Sequence, residues 1–187
     1  MIKERRYDKL FIIEESIFQP RKEELCHYLN TKRIQYKIYM IFRKEPVQNC
    51  EIFAVIRDYI KQKGGVCRPF VAPFAVFLNE DDHTYVEPDV SVICDPSKLN
   101  DKGCAGAPDW IIEVVSPGSQ RIDYMIKLFK YRTAGVREYW IVDKTKNRII
   151  VYNFEKNDMN EYTFSDLVPA GIYDDLNIDF AKIDELL

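Results

Sequence analysis

The stretch 110–115 reads Trp-Ile-Ile-Glu-Val-Val, and it decides the central strand of the fold. All of its residues except Glu113 are apolar, which predicts a strand that is buried on both faces of a sheet. An ionised carboxylate in such surroundings is costly unless a positive group compensates it. A metal ion or a lysine would supply that compensation, so Glu113 is the first candidate functional residue.

A second carboxylate stands on a strand upstream. Residues 85–95 read YVEPDVSVICD and alternate between apolar and other side chains after Pro88, which is typical of a strand. Pro88 predicts that this strand starts at an edge or a kink, where Asp89 can reach into a cleft. Mg²⁺ binds through one or two carboxylates, keeps several waters and accepts phosphate oxygens. Asp89 and Glu113 are therefore a candidate pair for a cation that polarises a phosphoryl group.

The segment 121–134 predicts a helix that follows the Glu113 strand and ends at Gly135. We expect its apolar side chains to face the core, namely Ile122, Met125, Ile126 and Phe129. The other face carries Lys127, with Tyr131 one turn further on. A lysine beside a metal pair can stabilise charge that develops on a phosphate, which makes Lys127 a candidate for that role.

Each candidate also has an ordinary structural interpretation. Glu113 could be a sheet carboxylate capped by one arginine, and Asp89 could be a turn or strand-end residue. Lys127 could be a solvated helix residue paired with Asp123 at i−4, and Tyr131 could serve packing. Single residues therefore leave the function open.

The flanking segments predict a mixed α/β protein. The pattern indicates a helix over 47–62 and a bent or edge strand over 66–78, and a loop over 96–108. Two further strands are predicted over 138–143 and 148–154. The middle of the chain therefore has the order helix, three strands, helix and two strands.

The composition excludes several classes of protein. The chain has 187 residues, 47% of them hydrophobic and 30% charged, as in a soluble globular protein of one domain. The net charge of −3 excludes a general basic coat, so any phosphate-binding surface must be local. No apolar run approaches the roughly 18 residues of a membrane span, and we expect a cytoplasmic protein without membrane contact. The five cysteines form no CxxC pair, so we expect reduced thiols and no zinc site.

Several separate segments together resemble one known family. They are VEPDV at 86–90, GAPD at 106–109, IEVVSP at 112–117 and AGVREYWIVD at 134–143, with Asp123, Lys127 and Tyr131 between the last two. This pattern resembles the Uma-type restriction endonuclease family, which belongs to the PD-(D/E)XK nuclease superfamily. The resemblance is clear from about residue 46 to residue 154.

The resemblance implies an α/β (α+β) fold of the restriction-endonuclease-like type, with a mixed central sheet flanked by helices. Its core order is helix-strand-strand-strand-helix-strand. It also implies that Asp89 and Glu113 hold Mg²⁺ (or Mn²⁺) and are catalytic. The superfamily lysine normally stands two residues after the glutamate, where this chain has Val115, and the position that matches the Uma-type family is Lys127. Auxiliary roles fall to three further residues: Glu87, Asp123 and Tyr131.

The predicted organisation is a single domain over 1–187, with a divergent part over 1–45, a core over 46–154 and a tail over 155–187. The chain departs from the family in its N-terminal part. The segment Lys32–Met40 lacks the glutamate and the glycine of a family motif, and Asn49 stands where family members often have a histidine.

The implied function is a Mg²⁺-dependent DNA endonuclease that hydrolyses phosphodiester bonds. Two alternatives stay open: a catalytically degenerate nucleic-acid-binding or protein-interaction module on the same fold, and phosphoester chemistry on RNA. Nucleases of this type often act as two-fold dimers. The 12 Tyr and 11 Phe of the chain also favour an exposed aromatic patch, so we expect a homodimer.

Overall fold

The chain divides into two units, Met1–Phe42 and Arg43–Leu187, in the computed structural model. The structure describes residues 5–7, 10–12, 44–79, 85–116 and 122–185. In the first unit it shows an antiparallel pair, β1 (Arg5–Tyr7) and β2 (Leu10–Ile12). The divergent segment Lys32–Met40 lies outside the described residues, and the single domain over 1–187 stays a prediction.

The second unit contains the helices and most of the strands. In chain order its elements are α1 (Lys44–Lys63), β3 (Arg68–Val71), β4 (Val76–Phe77), β5 (Val90–Ile93), a 3₁₀ turn (Pro96–Lys98), β6 (Leu99–Asn100), β7 (Gly103–Ala105), β8 (Trp110–Val114), a π-helical segment (Ile122–Lys127) that continues into α2 (Leu128–Ala134), β9 (Glu138–Asp143), a second 3₁₀ turn (Lys144–Lys146), β10 (Arg148–Asn153), β11 (Asp158–Tyr162), β12 (Leu167–Pro169), β13 (Asn177–Asp179) and α3 (Phe180–Glu185).

A six-stranded mixed sheet is the centre of this unit. Its spatial order is β11-β10-β9-β8-β5-β3. The neighbours β8 and β9 are parallel, and the other pairs are antiparallel. The helix-strand-strand-strand-helix-strand order predicted from the sequence is confirmed by α1, β3, β5, β8, α2 and β9. The α+β fold class with a mixed central sheet is confirmed as well.

Each face of the sheet is covered by its own apolar layer. The α1 layer joins Ile52 and Ile56 of α1 to the strands and to the C-terminal residues around Phe180. Trp110 and Trp140 are fully buried there, with ring centroids 4.8 Å apart in an edge-on contact. The α2 layer, on the opposite face, contains Ile111, Val115, Tyr131, Tyr139, Ile141 and Ile150. The alternation of side chains along β8 therefore feeds both layers, as the nearly continuous apolar run predicts.

The predicted edge strand within 66–78 is confirmed in part, because this stretch contains two strands, β3 and β4, that belong to different sheets. A cis peptide bond before Pro73 lies in the segment between β3 and β4. β3 is the edge strand of the six-stranded sheet. The predicted loop over 96–108 is wrong in part, because β6 and β7 form a small sheet with β4 there. Gly103 permits this close approach, since a Cβ at that residue would lie 2.2 Å from the carbonyl oxygen of Ala75.

The face assigned to the predicted helix over 121–134 is wrong. Phe129 is 73% exposed, and Met125 and Ile126 are exposed as well. The inward face instead carries Tyr124, Leu128, Tyr131 and Ala134. Two tyrosines therefore share the contacts with the sheet with Leu128 and Ala134. The side chain of Ile122 lies outside the described part of the helix.

The prediction that all the cysteines are reduced thiols is also wrong. Cys67 and Cys94 form a disulfide, while Cys50 and Cys104 are free. The antiparallel register pairs Arg68 with Ile93, so one step outward places the two sulfurs opposite each other. A search for CxxC spacing does not detect a pair that only strand pairing creates.

None of the helices that the structure describes is long and apolar enough to span a membrane. The predicted cytoplasmic location stays a prediction.

The two isoleucines Ile149 and Ile126 test the assignment of faces. Ile149 is fully buried, so Ile149→Ala should lower the free energy of unfolding by about 2–5 kcal/mol. Ile126 is 54% exposed, so Ile126→Ala should change it by less than about 0.5 kcal/mol. Urea unfolding in dilute solution measures both values. Equal losses for the two variants would contradict the observed helix face.

Candidate active site

Asp89 and Glu113 face each other across neighbouring strands. The antiparallel register of β5 and β8 places Val90 opposite Ile112, so the next position places Asp89 opposite Glu113. Directly opposite residues share a face of the sheet and have Cβ atoms about 4.5–5.5 Å apart. Strand pairing therefore brings the two predicted carboxylates together at one end of the sheet, on the face covered by α2.

Both oxygens of Glu113 have partners. The side chain is almost completely buried, and the Tyr131 hydroxyl donates a 2.6 Å hydrogen bond to its Oε1 atom. The ammonium of Lys127 lies 2.9 Å from the Oε2 atom. The ion pair with the cation and the hydrogen bond from the neutral hydroxyl both offset the free-energy cost of burying the carboxylate.

The helical segment after β8 sets the positions of these two partners. Lys127 and Tyr131 are four residues apart, so they lie on the same face of the helix. The ring of Tyr131 packs edge-on against Tyr139, with the centroids 5.0 Å apart, and this contact anchors α2 on the sheet. The side chain of Lys127 is 24% exposed, so its ammonium approaches Glu113 from the solvent side of the layer.

Asp89 is held by groups from two other elements. Its Oδ2 atom accepts a 2.8 Å hydrogen bond from the backbone N–H of Val114. Its Oδ1 atom accepts a 2.7 Å hydrogen bond from the side-chain amide of Asn49 on α1. Each carboxylate of the pair therefore has a fixed orientation.

Asn49 is a site residue that the sequence analysis did not assign. The sequence marks it only as the residue at a position where family members often have a histidine. The missed signal is its spacing, because Asn49 precedes Ile52 and Ile56 by three and seven residues on the buried stripe of α1. An amide on such a stripe requires a polar partner, and that partner is Asp89.

Burial raises the pKa of Glu113 to about 7. The cation of Lys127 opposes this rise, the charge of Asp89 adds to it, and the hydrogen bond from Tyr131 opposes it. A carboxyl group that titrates near neutral pH is typical of a site where protons or cations exchange.

The donor set suits a hard divalent cation. Mg²⁺ takes one or two carboxylates from a protein, and an amide oxygen is a further oxygen ligand for hard cations. The Oδ1 atom of Asn49 is buried without a hydrogen-bond partner in the described part of the chain. Among residues 48–79, 85–116 and 124–185, no group of three or more His, Cys, Asp or Glu side chains is arranged to hold a metal ion.

The remaining predicted residues are distributed differently. Glu87 is exposed, and no described residue makes a hydrogen bond or an ion pair with its carboxylate. Asp123 lies in the π-helical segment, but its side chain is outside the part that the structure describes. Val115, at the usual position of the superfamily lysine, is buried in the α2 layer. The predicted roles of Asp89, Glu113, Lys127 and the auxiliary residues stay predictions.

A mixed central sheet flanked by helices, with two facing carboxylates and a lysine at one end, is the arrangement that the restriction-endonuclease-like class predicts. A family profile supports this class over residues 43–172, and its description is "Putative restriction endonuclease". The chain belongs to this family, Uma2.

One solved structure shows the same fold. It is the crystal structure of a putative nuclease belonging to DUF820 from Anabaena variabilis. The match has a TM-score of 0.61 and 20% sequence identity, and it covers 76% of this chain and 81% of the other. The comparison with curated proteins finds no match.

The raised pKa of Glu113 predicts a pH dependence of stability. The folded protein holds the proton of Glu113 up to about pH 7, whereas an unfolded chain releases it near the ordinary value of 4.5. Stability from this group is therefore fully present below pH 4.5 and is lost as the pH rises to about 7. The loss should be about 3 kcal/mol in metal-free buffer.

The variant Glu113→Gln provides the comparison, because it keeps the shape of the side chain and does not titrate. Its free energy of unfolding, measured by urea titration across this pH range, should lack that loss. Parallel profiles of unfolding free energy against pH for the two proteins would contradict a raised pKa of Glu113 in the folded protein.

Proposed function

We propose that this protein is a Mg²⁺-dependent (or Mn²⁺-dependent) endonuclease that hydrolyses phosphodiester bonds of DNA. The observation that carries the proposal is the ion pair between Lys127 and the buried Glu113, at 2.9 Å, beside a second carboxylate on the facing strand. Family membership supports the nuclease class, and the metal and the DNA substrate are the further steps of the proposal.

Asp89 and Glu113 are the residues that would hold the metal ion. When bound, a divalent cation of this kind polarises a phosphoryl oxygen and makes water a better nucleophile near neutral pH. The protein contributes the orientation of its ligands. Asn49 and the backbone of Val114 fix the carboxylate of Asp89, and Tyr131 fixes that of Glu113.

In this proposal Lys127 stabilises the negative charge on the phosphate. Hydrolysis breaks one phosphorus–oxygen bond and develops negative charge on the phosphate oxygens, which a positioned ammonium stabilises. Lys127 is suited to this because its side chain is partly exposed while its ammonium lies 2.9 Å from the buried carboxylate. Tyr131 and Asn49 act as positioning residues, since each contacts a carboxylate of the pair.

The cleavage test compares a variant on β8 with two variants on the helical segment that follows it. Glu113→Gln and Lys127→Met should each lower Mg²⁺-dependent cleavage of plasmid and single-stranded DNA by roughly 100-fold or more, because the first removes a charged ligand of the metal ion and the second removes the cation that stabilises the phosphate. Lys130→Met is the matched control, because Lys130 is exposed one turn further along the same helix. It should cleave DNA like the parent protein.

Two results would contradict the proposal. Cleavage by Glu113→Gln at the parent rate would show that the carboxylate pair takes no part in the reaction. DNA binding by the parent without cleavage in Mg²⁺ or Mn²⁺ would instead support the catalytically degenerate binding module.

We also propose that the protein forms a homodimer. Met125, Ile126 and Phe129 form an exposed apolar strip on the outer side of the helical segment after β8. Large apolar side chains grouped on a surface are typical of interfaces. The strip lies on the element that also carries Lys127, so a second copy seated there would stand next to the site.

Sedimentation equilibrium tests this association. The parent protein should have the mass of a dimer at high micromolar concentration. Phe129→Glu should shift it to monomer, because the substitution places a charge in the apolar strip. A monomeric parent protein at that concentration would contradict the homodimer.

A further inference from the structure

A cluster of two cations and one aromatic ring lies beside the carboxylate pair. Tyr124 belongs to the π-helical segment, three residues before Lys127. The ammonium of Lys146 lies 4.5 Å from the centroid of the Tyr124 ring, and the Cζ atom of Arg148 lies 6.0 Å from it. Both distances are within the range of cation–π contacts. The ring therefore holds the two cations near each other.

Strand register places this cluster on the same face and at the same end of the sheet as Glu113. Glu113 is opposite Ile141 on β9, and Asp143 follows two positions later on the same face. Arg148 on β10 is directly opposite Asp143. With about 4.8 Å between strands and about 3.3 Å per residue, the Cα atom of Arg148 is roughly 12 Å from that of Glu113.

Asp143 organises the cluster. It is completely buried, and its Oδ2 atom accepts a 3.0 Å hydrogen bond from the Tyr124 hydroxyl. Its Oδ1 atom accepts hydrogen bonds from the Thr145 hydroxyl at 2.6 Å and the Lys146 backbone N–H at 3.2 Å. These bonds fix the turn between β9 and β10. The backbone of Lys146 is therefore held in place next to the Tyr124 ring.

The cations themselves stay accessible. The side chains of Lys146 and Arg148 are 43% and 37% exposed. The Lys146 ammonium makes only a long ion pair with Asp143, at 3.5 Å, and Arg148 pairs with Glu161, which is exposed. The Arg148–Glu161 pair is solvent-exposed, and such pairs are weak and screened by salt, so an incoming phosphate can replace Glu161. Asp143 is buried, so Lys146 keeps its long contact with it, and its partly exposed side chain can contact a phosphate in addition.

We propose that Lys146 and Arg148 bind the sugar–phosphate backbone of the nucleic acid next to the phosphate that is cut. The inference rests on the proposed nuclease function and names the surface that receives the substrate. Local cations are required because the whole protein has a net charge of −3. Tyr124 is a positioning residue in this surface, because it acts through the two cations that it contacts.

The partner is the phosphate backbone of either a single strand or a duplex. Contacts to phosphates release counterions, so the logarithm of the binding constant falls with the logarithm of salt by about 0.7 per contact for a single strand and about 0.9 for a duplex. The slope therefore counts the contacts that each form of DNA makes. It also distinguishes loss of a phosphate contact from a general loss of folded protein.

The experiment measures binding in EDTA, where metal-dependent cleavage does not occur. A fluorescein-labelled oligonucleotide, single-stranded and as a duplex, is titrated by anisotropy at several salt concentrations. The double variant Lys146→Ala/Arg148→Gln should bind roughly tenfold more weakly. Its slope should fall by about 1.4 on the single strand or about 1.8 on the duplex.

The matched control is Lys182→Ala. Lys182 also pairs with an aspartate three residues earlier, at 3.2 Å, but it is 80% exposed on α3. It should keep the affinity and the slope of the parent. The charge-preserving variant Lys146→Arg should keep them too, and Tyr124→Phe should do so because the ring remains. Tyr124→Ala should lower both affinity and slope.

The inference is overturned if the double variant has the parent affinity and slope while its thermal unfolding is unchanged. That result leaves the proposed function intact if Glu113→Gln still abolishes cleavage. Failure of the proposed function has a different signature, because the parent would then bind DNA with a steeper slope than the double variant and not cut it. If the double variant does not fold, Lys146→Glu alone replaces it, with an expected fall in slope of about 0.7 on the single strand or about 0.9 on the duplex.

Discussion

A carboxylate inside a sheet requires a cation, and the contact between Glu113 and Lys127 meets that requirement here. The contact joins β8 to the helical segment that follows it, and the Tyr131 hydroxyl closes the other side of the carboxylate. It also fixes the register of β8. A slip by one residue would turn Glu113 toward the layer of Trp110 and Trp140, where an ionised group would have no partner.

The site is assembled from elements that have different tasks. The backbone pairing of β5 and β8 sets the separation of Asp89 and Glu113, and α1 contributes Asn49 from the opposite face of the sheet. The parallel neighbour β9 ends in Asp143 at the same end. The functional groups therefore gather where the strands end, and the apolar layers behind them hold these ends in place.

The period-two pattern of the strands and the anomaly of Glu113 could be predicted from the sequence because both depend on neighbouring residues. The helix face could not, because Met125, Ile126 and Phe129 have helical spacing and nevertheless face outward. Tyr124 and Tyr131 were better suited to the sheet, since their hydroxyl groups reach the carboxylates of Asp143 and Glu113. The disulfide of Cys67 and the contact of Asn49 join residues that are distant in sequence, and only the strand register or helix docking brings them together.

The place of the lysine on a helix has a consequence for the interior of the sheet. Val115, at the usual position of the superfamily lysine, fills the α2 layer as an ordinary core residue. The pairing of β5 and β8 positions the two carboxylates. The ammonium of Lys127 stands at the end of a flexible side chain on a separate element, the helical segment. A change in the helix can therefore alter the third member of the site without rebuilding the strands. The position of the ammonium therefore depends on how the helix docks, and the separation of the carboxylates depends on how the strands pair.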